Sequence, residues 1–240
     1  AKRGSGQEWQ GVRRHVQSAH QPRLSENEAV DRLRRAGQHP AHQRHHHRLA
    51  ARASYYDSCA WRATWAADGG GVLLNQAPHN LDLWQWICGM PIRVRAFCGF
   101  GRWHDIEVED DVTAYVEYAG GATGTFITCT GEAPGTNRFE VSLTGGQLIY
   151  ENGRLTLARP DTPRRFIREY EGGFGKPNVT VADITPDEPY TMHAGVIRAF
   201  IDHILTGAPM IADGREGLNS LMLANAMLLS TWENATLTCL

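Results

Sequence analysis

The stretch Asp110–Thr130, DDVTAYVEYAGGATGTFITCT, decides the fold. Apolar and polar residues alternate through Val112–Tyr118, the period of a strand with one buried and one wetter face. Gly120 and Gly121 then separate this run from a second one, Thr123–Thr130, and read as a tight hairpin turn. The same signals recur outward in both directions. RVRAFCGFGRW (Arg93–Trp103) precedes the hairpin, and RFEVSLT (Arg138–Thr144), GQLIYEN (Gly146–Asn152) and RLTLAR (Arg154–Arg159) follow it. Gly145-Gly146 and Asn152-Gly153 supply further turns, so the region is expected to be an antiparallel meander.

Helical patterns flank the strands. In VLLNQAPHNLDLWQWIC (Val72–Cys88), Leu73, Leu74, Leu81, Trp84 and Ile87 suit a helix buried on one face, stopped by Gly89 and Pro91. Pro78 costs about 3 kcal/mol inside a regular helix. A kink is therefore expected there, or a helix starting afresh near Ala77 with Pro78 in its first turn. Two helices close the chain, at about Met192–Leu205 (before Gly207 and Pro209) and Arg215–Glu233. The polar, proline-containing stretch Arg159–Pro189 reads as a loop. One early helix, a meander and two late helices make an α+β fold.

The 240 residues carry a formal charge of −2, which hides an asymmetry. Residues 1–53 hold 11 basic and 4 acidic groups, a net of +7; the rest hold 13 and 22, a net of −9. A basic arm ordinarily points to nucleic acid. This arm has one aromatic, Trp9, and no apolar period, so it reads as disordered and no nucleic-acid partner is expected. No apolar run approaches the ~18 residues of a membrane span, and AKRGSGQEWQ lacks the core of a secretory signal. Cys59, Cys88, Cys98, Cys129 and Cys239 contain no CxxC pair and read as reduced thiols, which places the protein in the cytoplasm. His104, His193 and His203 lack ligand spacing, so no metal is expected. HPAHQRHHH (His39–His47) is the rival metal-binding tract.

At the glycine run, GGGVLLNQAPHNLDLWQWICGMP (Gly69–Pro91) resembles the signature of the glucose-fructose oxidoreductase, inositol dehydrogenase and MocA family. HAGVIRAFIDHILTGAPMIADGREGLNSLMLANAMLLS (His193–Ser230) is similar to that family's closing helices. The resemblance runs from about Tyr55 to Trp232. It implies an N-terminal Rossmann domain for NAD or NADP in the intact protein. It also implies a C-terminal domain (here 54–240) with an open, predominantly antiparallel sheet packed with helices, which meets a polyol or sugar substrate and forms a homo-oligomer. The family's catalytic histidine matches His79, and Asn75 stands where many members carry aspartate. The Glu-Lys-Pro motif that supplies the family's lysine is missing, as is a GxGxxG loop. The run Gly69–Gly71 follows no strand and is not expected to cradle a pyrophosphate. The chain is thus expected to lack the cofactor domain and to bind neither nucleotide tightly; no residue is assigned to the cofactor.

The residues themselves support specific chemistry. Imidazole is well poised near neutral pH to exchange a proton with a substrate hydroxyl. Asn75, four residues before His79, shares its face if the helix is continuous; asparagine orients a hydroxyl or an imidazole but holds no charge. Gln76 and Asp82 are further candidate substrate contacts, Asp82 alternatively being a helix-surface carboxylate. Arg62, between Trp61 and Trp65, is a candidate clamp for substrate hydroxyls, or else a packed loop residue in a cation–π contact. Asn137 is a candidate rim residue, with a plain turn as the alternative.

The N-terminal segment has a separate explanation. Read one base later with free silent positions, Gln10–Arg52 yields a string similar to the family's linker into its second domain; HHHRL (His45–Leu49), for instance, becomes TITDW. Residues 1 to about 53 are therefore expected to be an out-of-frame translation or otherwise disordered. Two functions follow: a fragment of an NAD(P)-dependent oxidoreductase acting on a sugar, cyclitol or related secondary alcohol, or a non-catalytic dimerising or ligand-binding sheet domain.

Overall fold

The computed structural model describes residues 40–185, 192–210 and 214–239. Its strands are β1 (Pro40–Ala50), β2 (Arg93–Phe100), β3 (Glu109–Glu117), β4 (Thr123–Cys129), β5 (Gly131–Leu143), β6 (Gly146–Glu151), β7 (Arg154–Pro160), β8 (Val179–Asp183) and β9 (Leu237–Thr238). Its helices are α1 (Ala53–Asp57), α2 (Pro78–Cys88), α3 (Pro163–Glu169), α4 (Met192–Thr206) and α5 (Gly217–Trp232). Backbone pairing orders the strands β8-β7-β6-β5-β1-β4-β3-β2-β9, an open and mainly antiparallel sheet in an α+β fold.

The chain forms two compact units. One comprises residues 43–139 and 214–240. In it, Val94, Ala96, Val112, Ala114, Val116 and Phe126 project from β2, β3 and β4 into a core completed by Leu81, Leu83 and Trp84 of α2 and Leu223, Met227 and Leu228 of α5. Trp84 stacks on Phe126 at 5.4 Å between centroids. Each such side chain, fully removed from water, contributes roughly 1.5–3 kcal/mol. The opposite face of β2 and β3 is open, with Phe97 59% and Tyr115 41% exposed. Among the described residues, the other unit comprises 40–42, 140–185 and 192–210. Here β6, β7 and β8 pair in antiparallel register around Leu148, Tyr150 and Leu157.

Helix α2 starts at Pro78, with Ala77 at the N-cap, and stops at Gly89, whose φ is +82°. Proline suits this first position because the N–H it lacks has no intrahelical acceptor there. The preceding residues, 70–77, are turns, so Asn75 and His79 do not share a continuous helix. The stretch expected as a loop contains α3 and β8; Val179 and Val181 extend the ladder beside β7, which the surrounding polar residues conceal.

The expected disordered segment 1–53 is divided. Its first 39 residues lie outside the described residues. Residues 40–50 differ from the expectation: they are β1, between β4 and β5. Ladder hydrogen bonding comes from the backbone, so a segment with no strand-like side-chain period still pairs where two strands leave a gap.

Candidate active site

The glycine turn before α2 is fastened by one carboxylate. Fully buried Glu109 accepts the Gly71 N–H at 2.9 Å and the Leu73 N–H at 3.0 Å, while its carbonyl accepts the Val72 N–H at 2.8 Å. Burial pushes its carboxyl pKa up, partly offset by these backbone donors. A Cβ at position 71 would lie 1.9 Å from the Glu109 carbonyl oxygen, so only glycine fits. The turn's donors are thus already taken by a carboxylate. A pyrophosphate needs those same N–H groups and would meet a buried acid, so the glycine run does not fit a dinucleotide, and no step is derived through one.

His79, the second residue of α2, is exposed, and its imidazole has no hydrogen-bond or ion-pair partner among the described residues. Asn75 lies within a polar chain. Its Nδ2 donates to both oxygens of Asp68 at 3.1 Å, and its Oδ1 accepts the Tyr55 hydroxyl at 3.2 Å. Tyr55 Oη in turn accepts an N–H of Arg62 at 2.8 Å. The Arg62 guanidinium lies 4.4 Å from the Tyr55 ring centroid and 4.6 Å from that of Trp61, the cation–π contact weighed from the sequence. It also lines a cavity of about 560 Å³ with Tyr56, Cys59, Thr64, Asp105 and Glu107. Burial raises the Tyr56 phenol pKa. Trp65 hangs beside this cavity on Glu107, donating its backbone N–H to the carboxylate at 2.6 Å and its indole N–H to the carbonyl at 3.1 Å.

The remaining candidates fall apart from this chain. Asp82 accepts the Gln85 amide at 3.1 Å within α2. Gln76 keeps a buried side-chain oxygen with no hydrogen-bond partner. Asn137 is exposed in the middle of β5, which begins at Gly131, rather than at a strand start. Sequence reasoning missed Tyr55, Asp68 and Glu109. The only sequence signal is that Asp68 borders the glycine run and Glu109 the Asp110–Tyr118 strand pattern; Tyr55 carries none.

Residues 39–149 match the family model described as the GFO/IDH/MocA C-terminal domain. Several solved structures share the fold. The WlbA dehydrogenase from Chromobacterium violaceum, in complex with NADH and UDP-GlcNAcA, is 22% identical with a TM-score of 0.67; the match covers 97% of this chain and 61% of that one. The aldose-aldose oxidoreductase from Caulobacter crescentus, complexed with glycerol, is 21% identical with a TM-score of 0.70, over 94% of this chain and 62% of that one. A levoglucosan dehydrogenase in complex with NADH and levoglucosan is 15% identical with a TM-score of 0.67, over 95% and 64%. The chain therefore spans less than two thirds of the length of these structures. No curated protein matches in sequence.

Proposed function

We propose that the chain is the substrate-side domain of an NAD(P)-dependent oxidoreductase acting on a sugar, cyclitol or related secondary alcohol by hydride transfer. The observation that carries this reading is His79, an unpartnered, exposed imidazole at the start of α2, directly after the glycine turn that Glu109 fastens. An imidazole with no internal partner is available to take a hydroxyl proton as the carbon is oxidised, or to return it on reduction. Arg62, at the wall of the cavity, is the leading substrate contact; Gln76, Asp82 and Asn137 are secondary candidates. The nucleotide is held outside the described residues, and this chain alone binds neither NAD nor NADP tightly.

The test uses the full-length product of the frame-corrected gene. His79→Ala is expected to lower kcat on its polyol substrate by about 10²–10⁴, the worth of a positioned acid–base group, with nucleotide affinity unchanged. Turnover near wild type would make His79 structural.

The open face of β2 and β3 supports a homo-oligomer, since Phe97 and Tyr115 stand exposed among Arg93, Arg95, Thr113 and Glu117. The five cysteines, all free thiols, support a cytoplasmic location.

Residues 1 to about 53 are, in this reading, translated out of frame. Strand β1 supports it: His45 Nδ1, His47 Nδ1 and Arg48 Nε are buried without hydrogen-bond partners, half of the six such side-chain atoms among the described residues. Buried polar groups are normally satisfied, and a selected interior strand does not concentrate the exceptions. The nucleotide sequence across these codons tests it directly, and an uninterrupted frame would refute it.

A further inference from the structure

The chain from Arg62 to Asp68 has a fixed direction. Both oxygens of the Asp68 carboxylate face one end of the Asn75 amide, and a carboxylate accepts only. That end must be the NH2, which turns Oδ1 toward Tyr55. The Tyr55 proton is then committed to Asn75, and only lone pairs remain on its oxygen to meet Arg62. Every link donates the same way, from guanidinium to phenol to amide to carboxylate.

Asp68 also holds the backbone that carries Arg62. Its Oδ2 accepts the Ala63 N–H at 3.0 Å, and Ala63 is buried with a φ of +53°, a left-handed conformation unusual for a residue with a side chain. One carboxylate therefore restrains both the turn bearing Arg62 and the turn bearing Asn75. Arg62 has no direct ion pair among the described residues; its Nε donates to Ser58 Oγ at 3.2 Å. Its charge is balanced at the far end of the chain.

We propose that Tyr55, which meets Arg62 directly, and Asp68, which acts through Asn75 and Tyr55, are positioning residues that set the Arg62 guanidinium at the cavity wall. The carboxylate absent from position 75 is thus supplied from position 68. The cavity role of Arg62 rests on the function proposed above, but its positioning is testable without turnover.

The experiment measures the rate at which phenylglyoxal modifies Arg62 in the 240-residue chain, by peptide mass spectrometry, with Arg93 and Arg154 as internal controls. Tyr55→Phe and Asp68→Asn are each expected to speed modification of Arg62 about five- to tenfold, the worth of one hydrogen bond, leaving the controls unchanged. Asn75→Asp is expected to do the same, because two carboxylates then face each other. The double variant Asp68→Asn with Asn75→Asp should return the rate to within about twofold of wild type. In it the amide now at position 68 still accepts from the Ala63 N–H and donates to the carboxylate now at position 75, which accepts from Tyr55. Failure of the swap to rescue, or no change on Tyr55→Phe, overturns the proposal. Loss of folding would accelerate the controls too, and Tyr55→Phe, which removes only a hydroxyl, then decides. A His79→Ala enzyme with full turnover would remove the acid–base role of His79 while leaving this result intact.

Discussion

Replacing Glu109 tests the attachment of the glycine turn to the sheet. Its carboxylate is fully buried and accepts two backbone N–H groups at 2.9 and 3.0 Å. Hydrogen bonds to a charged group contribute roughly 1.5–3 kcal/mol each, and an orphaned buried donor costs about 1–3 kcal/mol. Glu109→Gln keeps one acceptor and turns an NH2 toward the other N–H, so it should destabilise by about 2–3 kcal/mol. Glu109→Ala orphans both donors and should cost about 3–5 kcal/mol. Either is a large share of the ~5–15 kcal/mol typical of a domain. Urea unfolding monitored by circular dichroism and by tryptophan fluorescence reads both. The pH dependence adds a check. Burial raises the folded pKa of Glu109, so its contribution is complete below the unfolded value and is lost as pH rises through the folded one. Glutamine does not titrate, so the wild-type advantage over Glu109→Gln should shrink as pH rises from about 4.5 toward neutrality. A Gln variant within about 0.5 kcal/mol of wild type would refute the clamp, whereas an advantage that grows with pH would refute the raised carboxyl pKa.

Further outcomes follow from the same contacts. Gly71→Ala drives a Cβ into the Glu109 carbonyl and should cost about 3 kcal/mol or more, whereas Gly120→Ala, which meets nothing within 4 Å, should be near neutral in the same assay. His45 is buried and its pKa is lowered to about 3, first by desolvation and then by the neighbouring His47 and His46. The unfolded imidazole takes a proton near pH 6.5 and the folded one does not, so stability is lost as pH falls from 6.5 toward 3, by at most about 5 kcal/mol. Thermal melts of wild type and His45→Thr across that range should show the variant losing less; parallel curves would contradict the burial of a neutral His45.

The sequence by itself determined the α+β class, the two antiparallel runs β2–β3–β4 and β5–β6–β7, which β1 separates in the sheet, and the first turn of α2. Those features are local. Alternation at Val112–Tyr118 commits a strand and one face, turn glycines at 120–121 and 145–146 set hairpins, and Pro78 is tolerated only where a helix begins. The proposal for His79 rests on the resemblance and on its exposed place in the first turn of α2. Tertiary structure alone decided the rest. Glu109 reads in sequence as a solvated charge at a strand start, and only the packing of a turn 38 residues earlier buries it. Asp68 and Tyr55 bracket Asn75 across seven and twenty residues of irregular chain, where no period exists to align them. Strand β1 has no strand-like pattern at all, because its pairing is made by backbone groups that every sequence carries. Where side chains alternate against solvent, sequence carries the information; where a residue's partner is chosen by the fold, only the folded chain can show it.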